Sequence, residues 1–208
     1  MLHRFLTVCL LACAVAPPAQ AATLSKTYSY FTIHGRTLDE IQDQLDRNGP
    51  RLAGTGKRHP GATRMEFNTH VGYRERGGRC EVVGAKVSLT AKIILPRWSQ
   101  RGAPADVRFV WETLAADIKR HEEAHVVIAR NYARDLEKQL GQVRPQRDCA
   151  AAHRLVKSTT DGMLARHDAE QDRFDDIEGR NFESRILHHP SLTVLLLFER
   201  LSIASRFP

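Results

Sequence analysis

Cysteine is scarce, at four in 208 residues, and glycine and proline, at 13 and 9, are too few for a collagenous or low-complexity chain. Aromatic residues make up 7%. No apolar run reaches the roughly 20 residues that cross a bilayer, so the mature chain is expected to be soluble. No internal repeat is visible. What is present is ordinary globular composition, 42% hydrophobic and 26% charged. The length suits one domain with a real core, or one domain with an appendage.

The first 21 residues read as a secretory leader. A short basic start, His3 and Arg4, leads into an apolar stretch from Phe5 to Ala16. Pro17 and Pro18 follow, and Ala19-Gln20-Ala21 is a small-residue cleavage pattern. Cleavage is expected after Ala21, giving a secreted or periplasmic protein. The weaker alternative is a lipoprotein modified at Cys13, because Leu10-Leu11-Ala12-Cys13 loosely matches a lipobox.

Loss of the leader removes Cys9 and Cys13 and leaves Cys80 and Cys149. In an exported chain such a pair is most simply a disulfide, and two thiolates alone make no zinc site. The chain is basic, with a formal net charge of +7 before processing. Its arginines are scattered and not interleaved with aromatics, so no nucleic-acid partner is expected, and solubility or attraction to an anionic envelope surface accounts for the charge.

Thr27 to Ile33 is a β-rich run. Thr37-Leu38-Asp39-Glu40 has capping-box spacing, Leu38, Ile41 and Leu45 form one apolar face, and Gly49-Pro50 stops the helix. From Thr63 to Tyr73 the pattern changes to period two, with Met65, Phe67, Val71 and Tyr73 on one face. Gly77-Gly78 marks a turn into a second alternating strand, Val83 to Leu95, expected to end at Pro96. These two strands predict a hairpin with one face on the core. After Pro104 a helical period lasts about 35 residues, and Val107, Val110, Trp111, Leu114, Ile118, Ile128, Tyr132, Leu136 and Leu140 mark its apolar stripe. Gly141 and Pro145 end it. Further helix is expected from about Arg147 to Ile177, broken near Gly162, before a tail, 182–208, with the apolar run Leu192 to Phe198. That run is too short to span a membrane and is expected to cover the core or to meet a partner or the envelope surface.

The middle of the long helix carries His121-Glu122-Glu123-Ala124-His125, an H-E-x-x-H motif. Two histidines at i and i+4 are about 40° apart on the helical wheel and one turn apart along it, so both rings can reach one ion. Neutral nitrogen ligands suit Zn²⁺, and a water in an open position ionises near neutral pH. Glu122 is then placed as general base for that water. Both histidines continue the stripe of Leu114 and Ile118, so they are expected to point inward. The third ligand is not marked. Glu137 lies 12 residues past His125 and should face elsewhere on an unbroken helix. The acidic cluster Asp168, Glu170, Asp172, Asp175, Asp176 and Glu178 supplies the remaining candidates, most of them on a solvated face.

Taken in order along the chain, Tyr30, Ile33, Gly35, Thr37 and Glu40, Gly49-Pro50, Ala62-Thr63, Cys80, Leu95-Pro96-Arg97-Trp98, Trp111, His121 to His125 with Ile128-Ala129, and Cys149 resemble a bacterial family of predicted secreted zinc-dependent proteases. That family is a domain of unknown function grouped with the zincins of the peptidase MA clan. Its late segment, roughly Tyr-Asp-x-x-Thr-x-His-Gly, matches Phe174 to Asn181. The Asp is kept as Asp175, while Glu178, Arg180 and Asn181 replace the Thr, His and Gly. The resemblance implies a helix following a hairpin whose edge strand aligns an extended peptide across the metal. It implies Asp175 as third ligand and Arg180 as an oxyanion group in place of the missing histidine; Glu178 or another acid is the alternative ligand.

The sequence therefore predicts an α+β zincin-like domain over 22–181, in which an N-terminal strand, helix and hairpin pack on the motif helix and further helices follow. The expected function is an exported zinc metallopeptidase acting on a peptide or protein substrate. Its rival is a zinc-binding but non-catalytic envelope module acting through a partner or membrane surface.

Overall fold

The computed structural model describes residues 22–51, 56, 58–99 and 101–187, with side chains through residue 181. The expected leader, the Cys13 alternative and the apolar run Leu192 to Phe198 lie outside the described residues.

Period-two alternation builds three strands, β1 (Thr23–Ile33), β2 (Ala62–Arg76) and β3 (Arg79–Trp98), in the order β1-β3-β2. The predicted hairpin is β2 with β3, antiparallel from Ala62 opposite Ile94 to Arg76 opposite Arg79. Gly77 and Gly78 close it at positive φ, 59° and 71°, a pair of left-handed positions that suits the right-handed twist of the flanking strands. β1 begins four residues before the expected Thr27 because it is held along its length in parallel register with β3, from Thr23 opposite Ser88 to Ile33 opposite Trp98. Pro96 does not end β3 as expected. The pairing with β2 stops at Ile94, so beyond that point β3 has β1 alone as a neighbour among the described residues, and a residue without N–H is tolerated on what is locally an edge.

α1 (Leu38–Asn48) starts as the capping box dictates, with Glu40 N donating to Thr37 Oγ1 at 3.2 Å and Thr37 N donating to Glu40 Oε2 at 3.3 Å. It buries Ile41 and Leu45. α2 (Ala105–Gly141) lays its apolar stripe on the sheet. α3 (Cys149–Leu187) is one continuous helix, so the break expected near Gly162 does not occur. An interior glycine costs about 1 kcal/mol in a helix. The burial of Val156 and Met163 on either side outweighs that, at about 1.5–3 kcal/mol for each fully buried side chain.

Two apolar clusters form the core. One joins α1, the sheet and the first half of α2 through Ile33, Ile41, Trp98, Trp111 and Ile118. The other joins Val87 and Leu89 of β3 to Leu136 and Leu140 of α2 and Met163 of α3. The disulfide Cys80–Cys149 pins the start of α3 to the start of β3. Cys80 and Gln146 also exchange backbone hydrogen bonds at 2.9 and 2.8 Å. Among the described residues no helix is long and apolar enough to cross a membrane. The chain is thus α+β, with the motif segment of α2 falling between Ile118 of the first cluster and Ala129 of the second.

Candidate metal centre

The inward stripe of α2 turns polar for one turn, at His121, Glu122 and His125, all buried. The two imidazole rings stand at 87° to each other with Nε2 atoms 3.1 Å apart. α3 crosses at this level and brings Asp175, whose Oδ1 is 3.2 Å from His121 Nε2 and 3.0 Å from His125 Nε2. Phe174, the preceding residue, stacks on His121 and meets His125 edge-on, each at 5.1 Å between ring centres. The three residues form a group that could hold a metal ion. His125 Nδ1 lies 2.6 Å from Gln171 Oε1, an acceptor, so the ring carries a hydrogen there and leaves Nε2 facing Asp175. Three electron-pair donors this close need a proton or a cation between them.

Glu122 sits one residue from His121, under the start of β2. Thr63 Oγ1 is 2.8 Å from Glu122 Oε2 and 3.0 Å from the Glu122 carbonyl oxygen, and its hydroxyl donates to one or the other. Oε1 faces Gly61, where an added Cβ would stand only 2.8 Å away, so the strand's approach to the carboxylate depends on the missing side chain. A cleft lined by His59, Gly61, Met65, Glu122, Gln171 and the three candidate ligands opens here. Among the described residues β2 is an edge strand, and its inner side alone is paired, to β3.

Burial pushes the Glu122 carboxyl above its ordinary value, and the two rings and the Thr63 hydroxyl only partly pull it back. For Asp175 burial also works upward, but hydrogen bonds from His121 and His125 outweigh it and hold the carboxyl well below the usual carboxylate range. Burial lowers the His125 imidazole, and Asp175, with Gln171 and Glu122, more than reverses that. Protons and a cation therefore compete for the same three atoms.

The two candidates for third ligand separate cleanly. Glu178 approaches His121 from the opposite side of the ring, 3.8 Å from Nδ1, and is hydrogen-bonded to Arg120. Asp175 is the residue on the Nε2 side. Arg180 is exposed and does not line the cleft. Five residues past Asp175 it is turned about 140° around α3, which carries it away from the group it was expected to serve. Glu137 faces elsewhere, as expected: it is buried and accepts the Val87 N–H at 2.7 Å.

His59 and Gln171 were not singled out from the sequence, and Thr63 entered only as part of a strand and of the family pattern, with no role at the site. Gln171 had one usable signal, its position one helical turn before Asp175 on the same face of α3. Thr63 and His59 reach the cleft only through the tertiary placement of β2, which no local pattern announces.

The model of a family of bacterial proteins of unknown function, DUF922, matches residues 28–182. No curated protein and no solved structure gives a significant match.

Proposed function

We propose that this chain, which belongs to the bacterial DUF922 family, is an exported zinc-dependent metallopeptidase of zincin type. The observation that carries the reading is the convergence of His121 Nε2, His125 Nε2 and Asp175 Oδ1 beside a buried glutamate and a sheet-edge strand. Two ligands at about 2.0–2.1 Å from a tetrahedral ion stand about 3.3 Å apart. The observed separations of 3.1, 3.2 and 3.0 Å are close to that. An ion such as calcium, with contacts of about 2.3–2.6 Å, would spread them further and would prefer oxygen to imidazole.

Zinc, when bound, supplies a Lewis acid and an open position at which water ionises near neutral pH. The chain's own residues do the rest. Glu122 takes a proton at the carboxylate and returns it to a leaving amine, while Thr63 holds Oε2 in place. The outer edge of β2 offers backbone groups on which an extended peptide can add as a further strand, running past Gly61 and Thr63 toward the cleft. The Cys80–Cys149 pair fits an oxidising compartment, in keeping with the leader-like start of the chain.

One observation favours the rival reading, a zinc-binding module without catalysis: Arg180 is exposed and brings no oxyanion donor to the cleft. The two readings part on one experiment. Purified protein should carry about one zinc per chain, and Glu122→Gln should keep that zinc while abolishing cleavage of an unfolded protein substrate such as casein. Zinc retained by a wild-type protein that cleaves nothing favours the non-catalytic module. Unchanged cleavage by Glu122→Gln removes Glu122 from the role of general base.

A further inference from the structure

A second set of buried polar groups runs from the cleft wall at Gln171 back along α3 to His167. Gln171, 9% exposed, places Oε1 at 2.6 Å from His125 Nδ1. Its Nε2 is 3.2 Å from the His125 carbonyl oxygen and 2.8 Å from Nε2 of His167. His167, 5% exposed, meets the edges of Phe67 and Tyr132, and its Nδ1 lies 2.9 Å from Asp168 Oδ1. Asp168 is exposed.

The donor and acceptor rules order this chain from its Asp168 end, against a competing acceptor, Asp175 Oδ1, that stands 3.0 Å from His125 Nε2. The Asp168 carboxylate accepts only, so His167 carries its hydrogen on Nδ1 and offers a lone pair at Nε2. Gln171 Nε2 has two hydrogens, which reach the His167 Nε2 lone pair and the His125 carbonyl. That fixes the amide with Oε1 toward His125 and makes Nδ1–H the donor there. Reversing the amide would set an oxygen against two acceptors, the His125 carbonyl and the His167 Nε2 lone pair.

We propose that Gln171 and His167 are positioning residues for the metal centre. They form a one-way relay from the Asp168 carboxylate that locks His125 in the tautomer whose Nε2 is free to bind the ion. The inference rests on the metallopeptidase reading for its purpose, though not for its hydrogen-bond pattern. Groups that hold a ligand histidine in this way typically contribute 10–100-fold in metal affinity.

The test uses the full chain labelled with ¹⁵N, free of zinc, at a pH above the imidazole range, with long-range proton–nitrogen spectra reporting the tautomer of each ring. Wild type should show His125 and His167 both with hydrogen on Nδ1. Gln171→Leu should release His125 from that form and weaken zinc binding by about 10–100-fold, measured by competition with a chelating dye. Gln171→Glu should keep the His125 tautomer, because its carboxylate still accepts from Nδ1–H, while its second oxygen should draw the His167 hydrogen to Nε2, so a merely structural role is separated from the relay. His125 found with its hydrogen on Nε2 in the wild type overturns the proposal. So does a Gln171→Leu chain whose His125 tautomer and zinc affinity are unchanged. A wild type that binds no zinc at all would sink the metal centre instead, and the tautomers would still decide the relay.

Discussion

Replacing Gly61 with alanine adds one methyl group at a crowded point of the site. The new carbon would stand 2.8 Å from Glu122 Oε1, 2.9 Å from Ile118 Cγ2 and 3.0 Å from Glu122 Cγ. Ordinary carbon contacts lie at about 3.5–4.0 Å. Ile118 is held in the core of α2 at 2% exposure and has nowhere to retreat. Glu122 can swing aside, but that breaks its 2.8 Å hydrogen bond from Thr63, worth about 1 kcal/mol. Overpacking of this kind costs about 1–3 kcal/mol, so Gly61→Ala should lower the unfolding free energy by about that much. The three atoms nearest the methyl belong to Glu122 and Ile118 and none to a candidate ligand, so zinc stoichiometry should not change. Peptide cleavage should fall by about 100-fold if the carboxylate moves by about 1 Å. Urea unfolding of wild type, Gly61→Ala, Glu122→Ala and the double variant isolates the contact. The methyl should cost at least about 0.5 kcal/mol less when Glu122 is already truncated. Strict additivity would refute the claim that β2 and Glu122 are fitted to one another through this glycine.

Removing both cysteines, as Cys80→Ser with Cys149→Ser, opens a loop with a sequence separation of 69 and should cost about 4 kcal/mol in urea unfolding; a loss below about 1 kcal/mol would contradict the staple. Asp175→Ala should abolish tight zinc binding in equilibrium dialysis, whereas Glu178→Ala should retain about one zinc per chain. The reverse pattern would exchange the two roles. Glu137→Leu strands the buried Val87 N–H and should destabilise the fold by about 1–3 kcal/mol without altering zinc binding, which calorimetric titration of the variant checks.

Much of the architecture is written in local periodicity. The capping box of α1, the Gly77-Gly78 turn and the stripe of α2 are short-range patterns, and each appears where its residues place it. The disulfide follows from counting cysteines. Other features depend on partners far away in the chain. β1 runs four residues further back because β3 receives it, and Pro96 stays in a strand because β2 has ended alongside. Gly162 fails to break α3 because packing on both sides outweighs its propensity. At the site, the i, i+4 histidines are visible as a motif, while the choice among six acids depends on how α3 crosses α2. Gln171 and His167 carry no motif at all, since a neutral amide and an imidazole read as ordinary helix surface until their neighbours are known.

α3 delivers Asp175 from a point 50 residues after His125, on a separate helix whose beginning is tied down by Cys149. A chain still emerging, its third helix not yet made, carries the full five-residue signature yet only two of its three anchor points. On the metallopeptidase reading proposed above, capture of the ion is coupled to completion of folding, and a hydrolytic centre assembled in this order stays silent toward its own unfolded precursor.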